Sequence, residues 1–334
     1  MGRARPVGAG CPPYYYLVNA EINKLTLMWD NMNNTDNCLI DKSEGGAHNA
    51  VRFPPWLKRG MAFSGRHGEV TDLLSSCNLN TVCAEAKCPN RGECFSRGAA
   101  AFLILGPVCT RDCAFCGVES GQPSPVDAGE GERLAEAAAL MGLRHVVITS
   151  VTRDDLPDGG ASAFAGAIRR LREKIPPAAV EALVPDFQGS ADALAAVLDS
   201  GPDVLNHNIE TVPRLYPRIR PQAIYVRSLE LLKRAAEDGR PVVKSGIMVG
   251  LGETVDEVNE LLRDLRAAGC SSVTIGQYLR PSRKQAPVAE FITPEQFSAY
   301  EKTALDIGFA QAFCGPYVRS SYRAGEYHAV NKVK

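Results

Sequence analysis

Six cysteines crowd one short stretch of this chain, and their spacing is its strongest chemical signal. They form two triplets, Cys83-x4-Cys88-x5-Cys94 and Cys109-x3-Cys113-x2-Cys116. Even scatter, which packing of cysteine as a small apolar residue predicts, would place about one of the 11 cysteines in the 34 residues from 83 to 116. Clustering at short spacings indicates ligation of a metal centre, and thiolate is the soft ligand that iron–sulfur clusters take.

Each triplet stops short of four cysteines. A structural zinc site normally takes four ligands, often as two close pairs, and the only nearby histidine is His67. Zinc stays open as an alternative, whereas six neighbouring thiols would be prone to mispaired disulfides. Electron-carrier ferredoxins complete all four iron sites with cysteine. A four-iron cluster on the second triplet would keep one iron open, as a catalytic site does.

A regular alternation of strands and helices follows the first triplet. Short apolar runs predict strands at 101–105, 144–149, 180–184, 204–208, 242–249, 273–277 and 309–313. Apolar periodicity and end signals predict helices at 132–141, 164–175, 254–269 and 293–308. Thr254 with Glu257 forms a capping box, and Pro294 follows a Thr293 cap. Six repeats predict an α/β fold, a partial (β/α)6 barrel with parallel strands; a doubly wound open sheet is the alternative.

The second triplet comes directly after the first predicted barrel strand. Ligands gather at the carboxyl ends of parallel strands in either architecture, so chemistry is expected there. The first triplet precedes the barrel and belongs to an N-terminal extension. We predict four parts: a flexible, unmatched segment at 1–52, the extension at 53–99, the barrel at 100–285, and a C-terminal helix, strand and tail at 286–334.

Composition excludes several classes of protein. Hydrophobic residues make up 45% and charged residues 22%, so the chain is not intrinsically disordered. A net charge of −1 predicts no general attraction to nucleic acid or to an anionic membrane. The start lacks the apolar run of a secretory signal. We therefore expect a cytoplasmic protein, with an organellar matrix as the alternative.

Several motifs resemble one known family. CTRDCAFC at 109–116 resembles the CxxxCxxC signature of radical S-adenosylmethionine (SAM) enzymes, and TVCAEAKCPN at 81–90 with ECF at 93–95 resembles the auxiliary-cluster motif of the lipoyl synthase family. Further similar segments are VITSVTRDDLPDGG (147–160), LVPDFQ (183–188), NHNIETV (206–212), KSGIMVGLGET (244–254), GQYLRPSR (276–283) and CGPYVRSSY (314–322). The resemblance covers roughly residues 53–334, and the family's fold is a partial (β/α)6 barrel.

The resemblance implies two four-iron clusters and SAM as cofactors. The second triplet, Cys109, Cys113 and Cys116, would hold the cluster that binds and cleaves SAM. The first triplet, Cys83, Cys88 and Cys94, would hold an auxiliary cluster whose fourth ligand is Ser321, with Ser320 as the fallback. The family inserts sulfur at C6 and C8 of an octanoyl chain on a carrier-protein lysine, and the auxiliary cluster is consumed as sulfur donor.

Contacts to SAM are also implied. Residues 246–253, GIMVGLGE, resemble the GxIxGxxE element near the adenine of SAM, with Met248 at the isoleucine position, and Phe115 is expected to touch the adenine. Polar residues at or near predicted strand ends are the other candidates: Ser150, Asp155, Asn208, Glu210 and Lys244. Each of these could instead serve only to tie down a loop.

The expected partners follow from the resemblance. They are octanoylated carriers, namely the glycine cleavage H protein or the lipoyl domains of 2-oxoacid dehydrogenases, and an electron donor such as ferredoxin or flavodoxin. Arg214, Arg218 and Arg220 form either a solvated face or a contact for an acidic carrier. The rival functions are another sulfur-inserting radical enzyme, similar to biotin synthase, and a non-catalytic two-cluster electron carrier.

Overall fold

The computed structural model describes residues 53–58, 60 and 65–326. The chain divides into two units, 1–59 and 60–334. Within the first unit, the described residues contain a short 3-10 helix at Pro55–Leu57. The predicted segment 1–52 lies outside the described residues, and the four-part division stays a prediction. None of the described helices has the length and apolar character needed to cross a membrane.

The second unit alternates strands and helices along most of its length. Its described strands are β1 (Asn80–Thr81), β2 (Ala101–Ile104), β3 (Val108–Cys109), β4 (Glu119–Ser120), β5 (His145–Ser150), β6 (Ala179–Leu183), β7 (Val204–Asn206), β8 (Val242–Val249), β9 (Ser272–Gln277) and β10 (Gln311–Gly315). Its described helices are α1 (Gly65–Ser76), α2 (Val82–Glu85), α3 (Arg91–Ser96), α4 (Glu130–Leu140), α5 (Ala161–Lys174), α6 (Ala191–Asp199), α7 (Tyr216–Ile219), α8 (Tyr225–Asp238), α9 (Val255–Ala267) and α10 (Pro294–Ile307).

Eight strands form one sheet in the order β1-β2-β5-β6-β7-β8-β9-β10. Every neighbouring pair from β2 to β10 is parallel, and β1 adds an antiparallel edge to β2. Within the described residues no ladder joins β1 to β10, so the sheet stays open between these edges. Six strands, β2 and β5 to β9, are each followed by a helix, which confirms the predicted partial (β/α)6 barrel.

The helix end signals are confirmed at α9 and α10. Thr254 accepts from the Glu257 amide and completes the capping box, and the predicted apolar stripe of α9 is buried. Thr293 caps α10 with Pro294 in its first turn. The last strand begins two residues later than predicted, because the Phe309 amide still donates to Ala304 at the helix end.

His207, just after β7, gives the fold a specific acid sensitivity. Its Nδ1 lies 2.8 Å from the Val184 carbonyl and its Nε2 lies 2.9 Å from Ser228 Oγ. Burial, aided by the Arg220 charge, lowers the pKa of His207 to about 4. The unfolded chain therefore binds the extra proton first, and stability falls as pH drops below about 6.5. We expect urea unfolding to show a loss of about 1.4 kcal/mol from this group between pH 7.5 and 5.5; an equal loss in His207→Gln would contradict this.

Candidate functional site

The second cysteine triplet lies in a loop that leaves the carboxyl end of β2. The loop is closed on itself by the short parallel ladder of β3 with β4. The Cys116 amide donates to the Cys113 carbonyl at 2.9 Å. The Thr152 amide, just beyond β5, lies 3.3 Å from Cys109 Sγ. The three thiols are therefore held together by backbone contacts at the end of the barrel where chemistry was expected.

Arg111, inside the triplet, fixes this loop to the barrel. Its guanidinium lies 2.6 Å from Asp154 Oδ2 and 2.7 Å from Asp186 Oδ1, and its side chain is 4% exposed. Burial opposes ionisation of Asp186, but the Arg111 bonds outweigh it and lower the pKa of Asp186 to about 2. Asp186 sits in a turn where Phe187 and Gln188 both have positive φ, a conformation with local strain. This buried ion pair positions the cysteines.

The first triplet is carried by the extension, over α2 and α3. Thr81 caps α2 by accepting from the Ala84 amide, which places Cys83 in its first turn. Asn90 donates to the Tyr317 carbonyl at 2.7 Å, and Tyr322 donates to Glu93 Oε1 at 2.9 Å. These two contacts bind the extension to the tail after β10, more than 200 residues away in sequence. The first triplet and the tail therefore form one site.

Two cavities meet at that site. The larger, of about 620 Å³, is lined by all three cysteines of the first triplet and by Ser321. The smaller, of about 170 Å³, is lined by Cys83, Cys88 and Ser321, and also by Cys116 of the second triplet. Ser320 lines only the smaller cavity. Ser321 thus shares both cavities with the first triplet, as the predicted fourth ligand should.

The thiols of both triplets are free and buried enough to resist ionisation. Burial is the main cause that raises the pKa of Cys83, Cys94 and Cys116 to about 12 each, and neighbouring thiols add to it. The mutual effects run within each triplet, which shows that its members are close in space. A soft metal centre must displace these protons on binding.

Four predicted SAM contacts line the smaller cavity: Phe115, Asn208, Glu210 and Met248. Glu210 has φ +68°, and burial raises the pKa of its carboxyl against the Arg220 charge and an Asn208 hydrogen bond. Its charge also acts on the Cys113 and Cys116 thiols. An anionic group beside the second triplet suits a ligand with cationic groups.

The other three predicted contacts lie elsewhere. Ser150 ends β5, and its buried Oγ has no hydrogen-bond partner among the described residues. Asp155 pairs with Arg153 at 2.8 Å, and its side chain is 41% exposed. Lys244 is the third residue of β8 rather than a residue at its carboxyl end. Only Ser150 of these three keeps a polar atom available.

Lys244 joins a buried network that holds the tail. Its Nζ lies 2.9 Å from Glu181 Oε1 and donates to the Ser320 carbonyl at 2.6 Å. His145 Nε2 lies 3.1 Å from Glu181 Oε2. Burial alone would raise the pKa of Glu181, but the Lys244 charge and the His145 contact lower it to about 2. The ammonium therefore neutralises Glu181 and anchors the residue before Ser321.

Removing that ammonium should destabilise the whole barrel. Lys244→Met leaves the Glu181 carboxylate buried without its cation, and breaking such a pair costs about 3–5 kcal/mol. We expect urea unfolding to show this loss. Adding Glu181→Leu, which removes the uncompensated charge, should restore part of it; no recovery in the double variant would contradict the ion-pair explanation.

Three glycines mark where separate segments meet around the cavities. A Cβ on Gly117 would lie 2.8 Å from the Ala86 carbonyl oxygen of the extension, and one on Gly276 would lie 2.0 Å from the Val318 carbonyl oxygen of the tail. A Cβ on Gly246 would lie 2.5 Å from Ser320 Oγ, which donates to Asn208. Sequence reasoning quoted these motifs without assigning the glycines a role, and it also missed Arg111 and Asp186.

The arginine run is not a free cationic face. Arg214 pairs with Glu257 at 2.6 Å, and Arg218 donates to the Leu251 carbonyl. Arg220 is buried and donates to the Asn208 and Ile209 carbonyls. The hypothesis that these three side chains receive an acidic carrier is therefore not supported, because their donors are already used within the chain.

Comparison with known proteins fixes the class. Residues 103–265 match the family description Radical SAM superfamily. The solved structure of SuiB from Streptococcus suis bound to S-adenosylmethionine has a TM-score of 0.51 and 12% identity over 67% of this chain and 54% of that chain, which shows a shared fold. The open parallel barrel with a cysteine loop after its first strand is that of a radical SAM enzyme.

Curated relatives narrow the family. A lipoyl synthase from Caldanaerobacter subterraneus subsp. tengcongensis is 56% identical over 82% of this chain and 96% of the relative. Lipoyl synthases from Rubrobacter xylanophilus and Symbiobacterium thermophilum are 51% and 54% identical, over 85% and 83% of this chain and 88% and 87% of those relatives. The chain belongs to the lipoyl synthase family.

The cofactors of this family are SAM and two four-iron clusters. The residues present fit them. Three free thiols converge at each site, the donor type that iron–sulfur clusters take. The second triplet has no fourth cysteine near it in sequence, and Glu210 lies beside it. The first triplet has the Ser321 hydroxyl in the same cavities.

Proposed function

We propose that this chain inserts two sulfur atoms, at C6 and C8 of an octanoyl chain bound to a carrier-protein lysine. Cys109, Cys113 and Cys116 would hold the cluster that binds SAM. The auxiliary cluster would be ligated by Cys83, Cys88, Cys94 and Ser321, and it would be consumed as the sulfur donor. The residue assignments rest on the motifs and on the geometry described above.

One observation carries this proposal. Cysteines of both triplets and Ser321 line the same small cavity, although they come from the extension, the barrel and the tail. A substrate carbon in that cavity would lie between a radical source on one side and a sulfur source on the other. An electron carrier has no use for a cavity between its clusters, so the observation favours an enzyme.

The chemistry requires a radical, because a methylene C–H bond offers no acidic proton for a base. When bound, the reduced cluster with SAM supplies a carbon-centred radical that abstracts hydrogen, and the auxiliary cluster supplies sulfur. The chain's part is to place the acyl chain and exclude water. Leu183, Ile247 and Tyr278 give the small cavity apolar walls suited to an alkyl chain.

The finer assignments of partner and place belong to the same proposal. The carriers would be the glycine cleavage H protein or the lipoyl domains of 2-oxoacid dehydrogenases, and the electron donor would be a ferredoxin or flavodoxin. A cytoplasmic site of action is supported by the absence of a secretory signal pattern at the printed start. Near-zero net charge supports the absence of a nucleic-acid or membrane partner.

The test is an anaerobic assay with reconstituted protein, SAM, a reductant and an octanoyl-lysine peptide. We expect mass spectrometry to show a gain of two sulfurs, as the dithiol or its oxidised ring. Cleavage of SAM without sulfur transfer would indicate a different radical enzyme, such as one similar to biotin synthase. Absence of both reactions would overturn the proposal.

The two tail serines provide a matched pair for the ligand assignment. Ser321→Ala should lose most sulfur transfer and alter the spectroscopic signature of the auxiliary cluster, because an alanine offers no oxygen ligand. Ser320→Ala should keep that signature, since the Ser320 hydroxyl donates to Asn208 at 2.6 Å. The reverse pattern would make Ser320 the ligand.

A further inference from the structure

The smaller cavity reaches solvent at one place. Of the residues that line it, only Lys87 and Pro89 are exposed; all the others are half-buried or buried. Both belong to the extension, between Cys88 and the start of α3. An acyl chain that reaches the space between the two triplets therefore passes this part of the extension.

The loop after β9 lies against that opening. A Cβ on Gly117 would contact both the Ala86 carbonyl oxygen and Pro281 Cβ, at 2.8 and 3.0 Å. The residue after Ala86 and the residues beside Pro281 therefore approach each other across the cysteine loop. The Ala286 amide also donates to the Ala114 carbonyl at 2.7 Å, so the far end of this loop lies on the cysteine loop too.

The two segments that flank the opening are rich in cations and contain no acid. Residues 86–92 and 279–289 include no aspartate or glutamate. Their basic residues are Lys87, Arg91, Arg280, Arg283 and Lys284. We call Lys87, Arg280, Arg283 and Lys284 the cationic rim.

The charge of this rim is not neutralised within the chain. Lys87 and Lys284 are exposed, and neither ammonium has an ion pair or hydrogen bond among the described residues. Arg280 donates only to the backbone carbonyls of Gln285 and Arg283. These side chains contrast with the arginine run, whose donors are all engaged, and they leave a positive potential at the opening.

We propose that the cationic rim is the docking surface for the acyl carrier, and that it binds acidic residues flanking the acylated lysine. This inference rests on the proposed function. An acylated lysine has lost its own charge through the amide bond, so its arm contributes only apolar contact inside the cavity. Electrostatic attraction must come from residues beside it, and complementary charges raise the rate of encounter and fix the register of docking.

The experiment compares two octanoyl-lysine peptides with reconstituted full-length protein. One peptide carries glutamates on both sides of the lysine, and the other carries glutamines. We expect wild type to prefer the acidic peptide in kcat/KM, with a preference that fades as salt rises. The double variant Arg283→Glu, Lys284→Glu should lower this preference about tenfold or reverse it. The matched control is Lys302→Glu on α10, whose ammonium pairs with Asp306, and it should leave the preference unchanged.

Peptide affinity, measured alongside by fluorescence anisotropy, separates docking from chemistry. Equal binding of both peptides by wild type would overturn the docking proposal, and so would a rim variant that keeps the wild-type preference. Selective binding of the acidic peptide that is lost in the rim variant would support docking even if neither peptide gains sulfur. That last result would overturn the proposed function alone.

Discussion

The Cys88→Ala variant is expected to cleave SAM at close to the wild-type rate and to transfer no sulfur, whereas Cys113→Ala is expected to do neither. The two triplets sit on separate segments and touch different walls of the small cavity. Loss of one thiol from the extension leaves the cysteine loop, with its Arg111 anchor and its contact from Thr152, intact. Loss of Cys113 removes a ligand from the site where the radical originates.

Quantitation of 5′-deoxyadenosine and of sulfurated peptide in the same anaerobic reactions checks this. Each affected step should fall by more than about a hundredfold, which corresponds to about 2.7 kcal/mol in the barrier. Cys270→Ala is the control, because Cys270 is fully buried and distant from both triplets in sequence. If the two ligand variants behaved alike, the proposed division of labour would be wrong.

Gly276→Ala is expected to abolish sulfur transfer by displacing the tail. The added methyl group would lie 2.0 Å from the Val318 carbonyl oxygen, closer than any real contact, and the obstacle is backbone rather than a flexible side chain. The tail must then leave β9, and Ser321, three residues further on, leaves the cysteines with it. Trypsin should cut the released tail after Arg319 or Arg323.

Gly166→Ala is the matched control for that substitution. Gly166 lies within α5, and a Cβ there meets no atom within 4 Å. Alanine should raise helix stability by up to about 1 kcal/mol and leave sulfur transfer and tryptic cleavage unchanged. Normal sulfur transfer in Gly276→Ala would falsify the view that the tail must lie against β9.

Much of the barrel could be predicted because its signals are local. The strand at Val242–Val249 and the capping box at Thr254 follow from a few adjacent residues, and the structure confirms both. The six repeats likewise follow from alternating periodicities. Helices α6 and α8 were not predicted, although Ser190 caps α6 and α8 buries Leu231 and Leu232.

The contacts that build the site were harder to predict because they join distant segments. Nothing local to Asn90 indicates Tyr317 as its partner, and nothing local to Lys244 indicates Glu181. The position of Lys244 near a strand suggested a cofactor contact, whereas the structure commits its ammonium to the interior. Placement of the ligand serine came from the motif resemblance, since spacing alone cannot bring Ser321 to Cys94.

The open edge of the sheet has a mechanical consequence. Between β2 and β10 the strands are held by backbone ladders, but the gap between β1 and β10 is bridged in part by side chains, through Asn90, Glu93 and Tyr322. Each such hydrogen bond contributes about 0.5–1.5 kcal/mol, so parting this seam costs far less than parting a ladder. A depleted sulfur site could thus be exposed and refilled while the rest of the barrel stays folded.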